Sequence, residues 1–458
     1  MASNRRRARA IARGRSFQGA APLRIRSACC VESRALPPYT ERVSQRTIRD
    51  VAVLGGGPAG ASLATYLARA GVAVVLFHKP KRPPIIVGES LVPAVVPFLR
   101  RLGLEQQVAG FSVFKPGATF TLTLEKDQSF RFDQAIGAEV DYSYNTPRDL
   151  FDAAILEGAR KAGVTVIEGT AAVERDGNAD RVRLSNRSLE MAGNAFAGQP
   201  DFIVDATGRS RTIGKLLGIP FVEGPRKDAA LHAHMKGVPL VVEGNVHTDR
   251  LLRGWCWRIP LPGRVSVGLV VNEEHLRRFG DSPEDQFHGT LAEEPLLKRW
   301  SEGAERVTPV VKYNNYQLRS LRGVGENWAT VGDAFGFVDP VFSSGMLIGL
   351  DGADALAKAL LKGTRRALEA YERRVLYNLT VWQRLVDYYY NGSLFTLFQI
   401  GEYKSKQFSW ALVNRHFARH MPRVFTGEAT RSRYSVGMVD FMVKYGVYGH
   451  DINELKVH

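Results

Sequence analysis

One stretch constrains the fold more than any other: DVAVLGGGPAGASLATYLARAGVAVVLFHKP, residues 50–80. Residues 51–54 are a short apolar, β-rich run. Gly55, Gly57 and Gly60 follow at the spacing G-x-G-x-x-G, and Pro58 suits the first position of a helix. Residues 61–70 are helix formers closed by Gly71. Residues 72–77 form a second apolar run of the kind buried on both faces of a parallel sheet. Strand, glycine turn, helix and strand in this order predict a βαβ unit. The glycines permit a tight turn and the close approach of a pyrophosphate, which the helix N-terminus then meets with free N–H groups. Gly55, Gly57, Pro58, Ala59 and Gly60 are therefore candidate dinucleotide-binding residues. One departure stands out: His78 occupies the place where a carboxylate usually holds the ribose, and an imidazole holds a hydroxyl more weakly.

The later chain extends this unit. RDLFDAAILEGARKAGVTVIEG reads as helix then strand, and PDFIVDATG as strand then turn. NWATVGDAFGFVDPVFSSGMLIGLDGADALAKAL supplies another strand, a loop and a helix. Between them, GATFTLTLEKDQSFRFD and residues 229–271 alternate polar and apolar, as antiparallel strands of a second sheet would. The expected fold is α/β: a doubly wound dinucleotide-binding domain, an inserted antiparallel β-sheet substrate domain and a C-terminal helical region. The expected boundaries are 48–114, 136–227 and 320–364 for the dinucleotide-binding part, and 115–135 with 228–319 for the substrate-side sheet. Residues 365–458 form the helical region, after an Arg-rich extension over 1–47. DATG (205–208) and GDA (332–334) resemble the second and third fingerprints of the FAD fold shared by aromatic hydroxylases and their relatives. That resemblance favours FAD over NAD and implies that Asp333 binds the ribityl chain and Arg148 the flavin nucleotide. A second G-x-G-x-x-G for a nicotinamide domain is absent, which suggests that reduced flavin arrives from a separate reductase.

Composition narrows the partners. Half of the formal net charge of +16 comes from Arg5, Arg6, Arg7, Arg9, Arg13, Arg15, Arg24 and Arg26, all before the first acidic residue, Glu32. Such a start reads as a disordered extension, an organellar transit peptide or a basic tail; no later element suits nucleic-acid binding. No stretch approaches the roughly 20 apolar residues needed to span a bilayer. Cys29, Cys30 and Cys256 are the only cysteines, too few for a disulfide framework or a thiolate metal cage, so no metal is expected and a reducing, cytoplasmic setting is.

GWCWRIPLP, residues 254–262, puts Trp255 and Trp257 on one face of a strand with Arg258 turned away. W-x-W-x-I-P resembles the motif of flavin-dependent halogenases. So do GESLVPAVVPFLRRLG with Glu89 and Ser90, FKPGATF with Lys115, and FVDPVFSSG leading into Gly345 and Met346; together they cover most of residues 51–350. The resemblance implies cofactor contacts from Glu89, Ser90, Gly345 and Met346. It implies an FADH2- and O2-dependent enzyme in which a flavin C4a-hydroperoxide oxidises a halide ion. The two indoles would keep the organic substrate off the flavin while hypohalous acid passes by. Lys115 would hold that acid beside the substrate, by hydrogen bond or as a chloramine. Backbone N–H groups of Ser344 and Gly345 are candidates for the halide. Family members acting on free tryptophan carry a glutamate just before the Ser-Thr-Gly-like turn; Phe342 stands here, which points to a small phenol or pyrrole, free or tethered to an acyl-carrier protein. His232 and His234, alternating on one strand, either line the pocket or are ordinary half-buried histidines. The competing readings are an FAD-dependent aromatic monooxygenase and a non-catalytic flavin-binding relative.

Overall fold

The computed structural model describes residues 47–458 apart from 81–82, 84, 178–179, 315–316 and 406–418. All but the last residue of the expected Arg-rich extension lies outside the described residues, as do Cys29 and Cys30. The chain enters β1 (Asp50–Leu54), helix α1 (Pro58–Arg69) and β2 (Ala73–His78). Short strands follow: β3 (Val113–Lys115), β4 (Gly117–Thr121), β5 (Asp127–Arg131) and β6 (Ser143–Asn145). Then come α2 (Arg148–Lys161), β7 (Thr165–Glu168) and β8 (Phe202–Asp205). Four long strands succeed one another: β9 (Asp228–Lys236), β10 (Val246–Leu251), β11 (Gly254–Leu261) and β12 (Arg264–Asn272). Helices α3 (Pro283–Glu293) and α4 (Pro295–Ser301) precede β13 (Trp328–Thr330), and α5 (Ser344–Lys362) and α6 (Arg365–Tyr390) lead into the C-terminal helices.

Five strands build a wholly parallel sheet in the order β13-β8-β1-β2-β7. All but the edge strand β7 are buried on both faces, as their apolar runs require. Val51, Val53, Val74 and Leu76 face α1 and α5, while Ala52, Leu54, Val75 and Phe77 face a smaller core with Ile213 and Trp328. This is the doubly wound half.

The second sheet has eight strands, with the path Glu305–Arg306, β9, β12, β11, β10, β4, β5, and Val311–Asn314 also pairing with β9. It is antiparallel except where β10 meets β4 in parallel, with Val246 opposite Ala118 and Thr248 opposite Phe120. Those two strands come from separate insertions, so no hairpin imposes antiparallel pairing at their seam. The back of this sheet carries Leu231, Ala233, Val267, Leu269 and Cys256 against Phe287, Leu297 and Trp300 of α3 and α4. The front carries Trp255, Trp257, Ile259 and Phe120 into the main core. The C-terminal helices close that front: Phe425 lies 5.2 Å from Phe120 and 4.8 Å from Phe130 by ring centroids. No helix among the described residues is long and apolar enough to cross a membrane.

Candidate active site

At the C-terminal end of β1, Gly55 takes φ +111°, where a side chain is strained, and a Cβ there would sit 2.3 Å from the Ala206 carbonyl oxygen. A Cβ on Gly60 would sit 2.1 Å from the Gly55 carbonyl oxygen, so this glycine lets helix and strand touch. Gly57 differs: no protein atom lies within 4 Å of a Cβ placed there. Its lack of a side chain serves nothing in the protein and leaves room for a ligand at the N-terminus of α1, which Pro58 opens and no side chain caps. His78 ends β2 buried against Gly56, where the usual carboxylate would stand. The residues of this turn fit a dinucleotide, with the ribose contact altered.

Arg148, at the start of α2, is anchored rather than free: Nη1 donates to the Val87 carbonyl at 2.6 Å and Nε to Asp152 at 2.9 Å. Asp333 lies within its field; burial pushes the Asp333 carboxyl up, opposed by Arg209 and Arg148. Helix α5 begins without a side-chain cap, after Ser343 in a left-handed conformation at φ 54°. The Ser344 hydroxyl is buried with no partner among the described residues, and Gly345 and Met346 continue the first turn, half-buried. An uncapped helix start at a strained residue leaves donors for an anion or a flavin carbonyl.

Lys115 ends β3, opposite Ser143 of the two-stranded ladder β3–β6, one residue short of the large sheet because Pro116 intervenes. It is 2 % exposed. Its amine donates to Ser90 Oγ at 2.8 Å and the Leu91 carbonyl at 2.7 Å, lies 5.5 Å from the Phe132 ring centre and forms no ion pair among the described residues. Burial without a carboxylate lowers its pKa to about 7. Ser90 therefore holds the lysine, a role its sequence assignment as a cofactor contact does not contain. Glu89 turns the other way and accepts from His234 Nε2 at 3.0 Å, with His232 Nε2 at 3.3 Å. Burial alone would raise Glu89; the two imidazoles outweigh it and hold the carboxyl at about 2.

Trp255 and Trp257 lie side by side, buried, with ring centroids 5.7 Å apart. Trp257 Nε1 donates to Ser266 Oγ at 3.1 Å, and its indole extends across Gly268, where a Cβ would come within 2.0 Å of the ring. Trp255 Nε1 donates to Tyr390 Oη at 2.8 Å, and Tyr390 donates in turn to Asp339 Oδ2 at 2.8 Å. Burial lifts Asp339 to about 6 against the hydrogen bonds from Tyr390 and the Val341 amide. The Arg226 guanidinium lies 3.8 Å from the centre of the Tyr390 ring. The paired indoles are thus clamped by the last turn of α6 to the loop that opens α5. Sequence reasoning missed Tyr390, Asp339, Ser266 and Gly268; only the lone glycine in an alternating strand offered a signal. Phe342 is core, packed 5.9 Å from Tyr389 and 6.0 Å from Phe425 by ring centroids.

Known proteins resemble this chain over most of its length. The family model described as tryptophan halogenase matches residues 50–137 and 119–394. The 1H-pyrrole-2-carbonyl-peptidyl-carrier-protein chlorinase of Pseudomonas fluorescens is 27% identical over 389 residues, covering 76% of this chain and 85% of that protein. The tryptophan 2-halogenase of Chondromyces crocatus is 30% identical over 358 residues, covering 74% of this chain and 67% of that protein. The crystal structure of halogenase PltM in complex with phloroglucinol and FAD has the same fold, with a TM-score of 0.67 at 19% identity over 86% of this chain and 91% of that one.

Proposed function

The chain belongs to the flavin-dependent halogenases of the tryptophan halogenase family, and from that premise we propose that it halogenates an electron-rich aromatic ring of phenol or pyrrole type, free or carrier-tethered. The glycine turn around Gly57, Arg148 and Asp333 would hold FAD, and reduced FAD with oxygen supplies the oxidation of halide to hypohalous acid. The halide would sit against the N–H groups of Ser344 and Gly345. A separate flavin reductase completes the system, and the division into FAD-binding, substrate-side and C-terminal parts belongs to the same proposal.

One observation carries the reading: a buried lysine whose amine donates to Ser90 and to the Leu91 carbonyl and, among the described residues, meets no carboxylate. With a pKa of about 7, both its forms are populated near neutrality. The ammonium hydrogen-bonds hypohalous acid and returns a proton to the hydroxide that leaves as the ring takes the halogen. The Trp255–Trp257 pair, stiff and apolar, keeps the organic ring from the flavin. Phe342 supports the substrate class, because it fills with packed aromatics the position where a carboxylate would face free tryptophan.

The test is product analysis. The full chain with FAD, a flavin reductase, NADH and bromide or chloride is offered a panel of phenols and pyrroles, and also tryptophan. Mass spectrometry should show halogenated phenol or pyrrole. Hydroxylated product alone, or halogenated tryptophan alone, would overturn the proposal.

A further inference from the structure

Glu89, His232 and His234 form a buried group of two imidazoles and one carboxylate whose ligand atoms all lie within 4.8 Å of one another, a composition that suits a metal ion. The hydrogen bonds argue otherwise. Arg264 Nε donates to His234 Nδ1 at 3.1 Å, and a guanidinium has no lone pair to offer. Nδ1 must therefore be the acceptor, which puts the His234 proton on Nε2, where it meets Glu89 instead of a metal.

His232 is placed differently. Its Nε2 faces Glu89 Oε2 at 3.3 Å and Ser266 Oγ at 3.0 Å. A carboxylate kept ionised opposite this nitrogen favours the tautomer with the proton on Nε2. Nδ1 is then a bare lone pair, and this atom is buried with no hydrogen-bond partner among the described residues. A carboxylate orienting an imidazole whose far nitrogen is left open is the arrangement of a general base. The position also fits. His232 lies opposite Gly268, which lies opposite Trp257, so base and indole share one row on the front of the sheet. Their ring centroids are 5.5 Å apart. A substrate held against the indoles meets His232.

We infer that His232 is the catalytic base of this enzyme, taking the phenol O–H or pyrrole N–H proton on Nδ1, with Glu89 as its positioning residue. The inference rests on the halogenase reading above. As the proton leaves, the ring's electron pair attacks the halogen, a carbon–halogen bond forms and the halogen–oxygen bond breaks. The departing hydroxide takes a proton from the Lys115 ammonium and leaves as water. The ring C–H proton is then released to the Lys115 amine, and His232 returns its proton to the heteroatom. Aromatic compound and hypohalous acid thus give halogenated aromatic compound and water. The titratable groups around His232 are Glu89 from the facing loop and His234 with Arg264 from its own sheet; Arg148 and Tyr313 act on Glu89 from farther off.

The test compares the full-length protein and its His232→Gln variant, with FAD, reductase, NADH and bromide. Two phenols are used, one of ordinary acidity and one nitrophenol already ionised at assay pH, together with monochlorodimedone, which traps free hypohalous acid. The variant should lose at least 50-fold in kcat on the ordinary phenol and less than 5-fold on the nitrophenol. Trap halogenation and FAD binding, read by flavin fluorescence, should stay within twofold. The acid limb of the kcat/KM–pH profile should disappear. Equal loss on both phenols, or loss of trap halogenation, would overturn the base. So would near-stoichiometric metal in the purified wild type. If the wild type brominates neither phenol nor trap, the halogenase reading falls and this one with it. Should His232→Gln fail to fold, Glu89→Gln replaces it. Without the carboxylate the imidazolium is less stable, so the acid limb should move to lower pH; an unmoved limb overturns the role.

Discussion

Two histidines on the same sheet teach what burial alone does not. His247, on β10, faces the back; His232, on β9, faces the front; both are fully buried. His247 is used completely: its Nδ1 bonds the Asn245 carbonyl at 3.1 Å, and its Nε2 accepts from the Val241 amide at 3.0 Å. Burial and the nearby Arg258 hold it neutral, with a pKa down at about 3. Beside it Arg258 closes a two-pronged pair with Asp249, both bonds 2.7 Å, in a neighbourhood where each charge has an answer. Among the described residues, His232 Nδ1 on the front and Ser344 Oγ at the start of α5 have no partner, and the Lys115 amine has no counter-charge. Open polar atoms occur around His247 and Arg258 too, at Asn245 Oδ1 and Trp300 Nε1, so the contrast lies in the charges: Arg258 is paired with Asp249, whereas the Lys115 amine has no carboxylate among the described residues.

Several substitutions would sharpen or break that contrast. The largest effect is expected at Lys115→Ala on the front, with halogenation falling more than about a thousandfold, or roughly 4 kcal/mol of barrier. Hydrogen peroxide from reduced flavin should persist, and retained halogenation would remove the lysine from the chemistry. Lys115→Met adds a sign test on stability. The folded pKa of about 7 lies below the unfolded value near 10.5, so the unfolded chain binds the proton more tightly. Burying the amine is therefore costly at every pH below about 7, and the cost fades as pH rises toward about 10.5. Against the lost hydrogen bonds, the Met variant should be more stable by roughly 2 kcal/mol at pH 6, with the gain shrinking by pH 10. Denaturant melts at the two pH values decide it.

On the back, Asp249→Asn should cost about 3 kcal/mol by leaving Arg258 buried without its carboxylate. Turnover per folded molecule should not change. His247→Gln should behave alike at about 2 kcal/mol, from the Val241 and Val242 amides deprived of an acceptor. Loss of kcat without loss of stability in either back-face variant would erase the distinction between the faces. The smallest effect belongs to Tyr390→Phe, at about 1 kcal/mol of stability. Its sharper signature should be a several-fold fall in halogenated product per NADH consumed, as the Trp255 indole loses its tether; unchanged coupling would reduce that chain of hydrogen bonds to packing.

The parts legible in sequence are those whose physics is local. G-x-G-x-x-G with its flanking strands, DATG, GDA and the W-x-W pair each declare a turn, a cap or a face within a few residues, and the doubly wound half stands where they indicated. The flanks of Lys115 marked it as a candidate, but its separation from the large sheet was not legible, because that depends on which strand Pro116 frees it to pair with. Glu89 and His232 are 143 residues apart by their numbers and meet only through the packing of two layers. Tyr390 lies in a helical tail whose aromatics read as generic core; its hydroxyl gains meaning only when α6 ends against Trp255. Register decided the row of His232, Gly268 and Trp257, and no single strand carries that information.

The bare position at Gly268 acts as a hinge-free dial. The tilt of one indole is governed by a neighbour that contributes no atoms of its own, on a strand that need not touch any reactant. Adding even one methyl there would meet the Trp257 ring within 2.0 Å, force it to shift and change the contour presented to an incoming molecule. Under the proposed function, retuning which ring carbon is attacked can therefore begin at a residue with no side chain of its own.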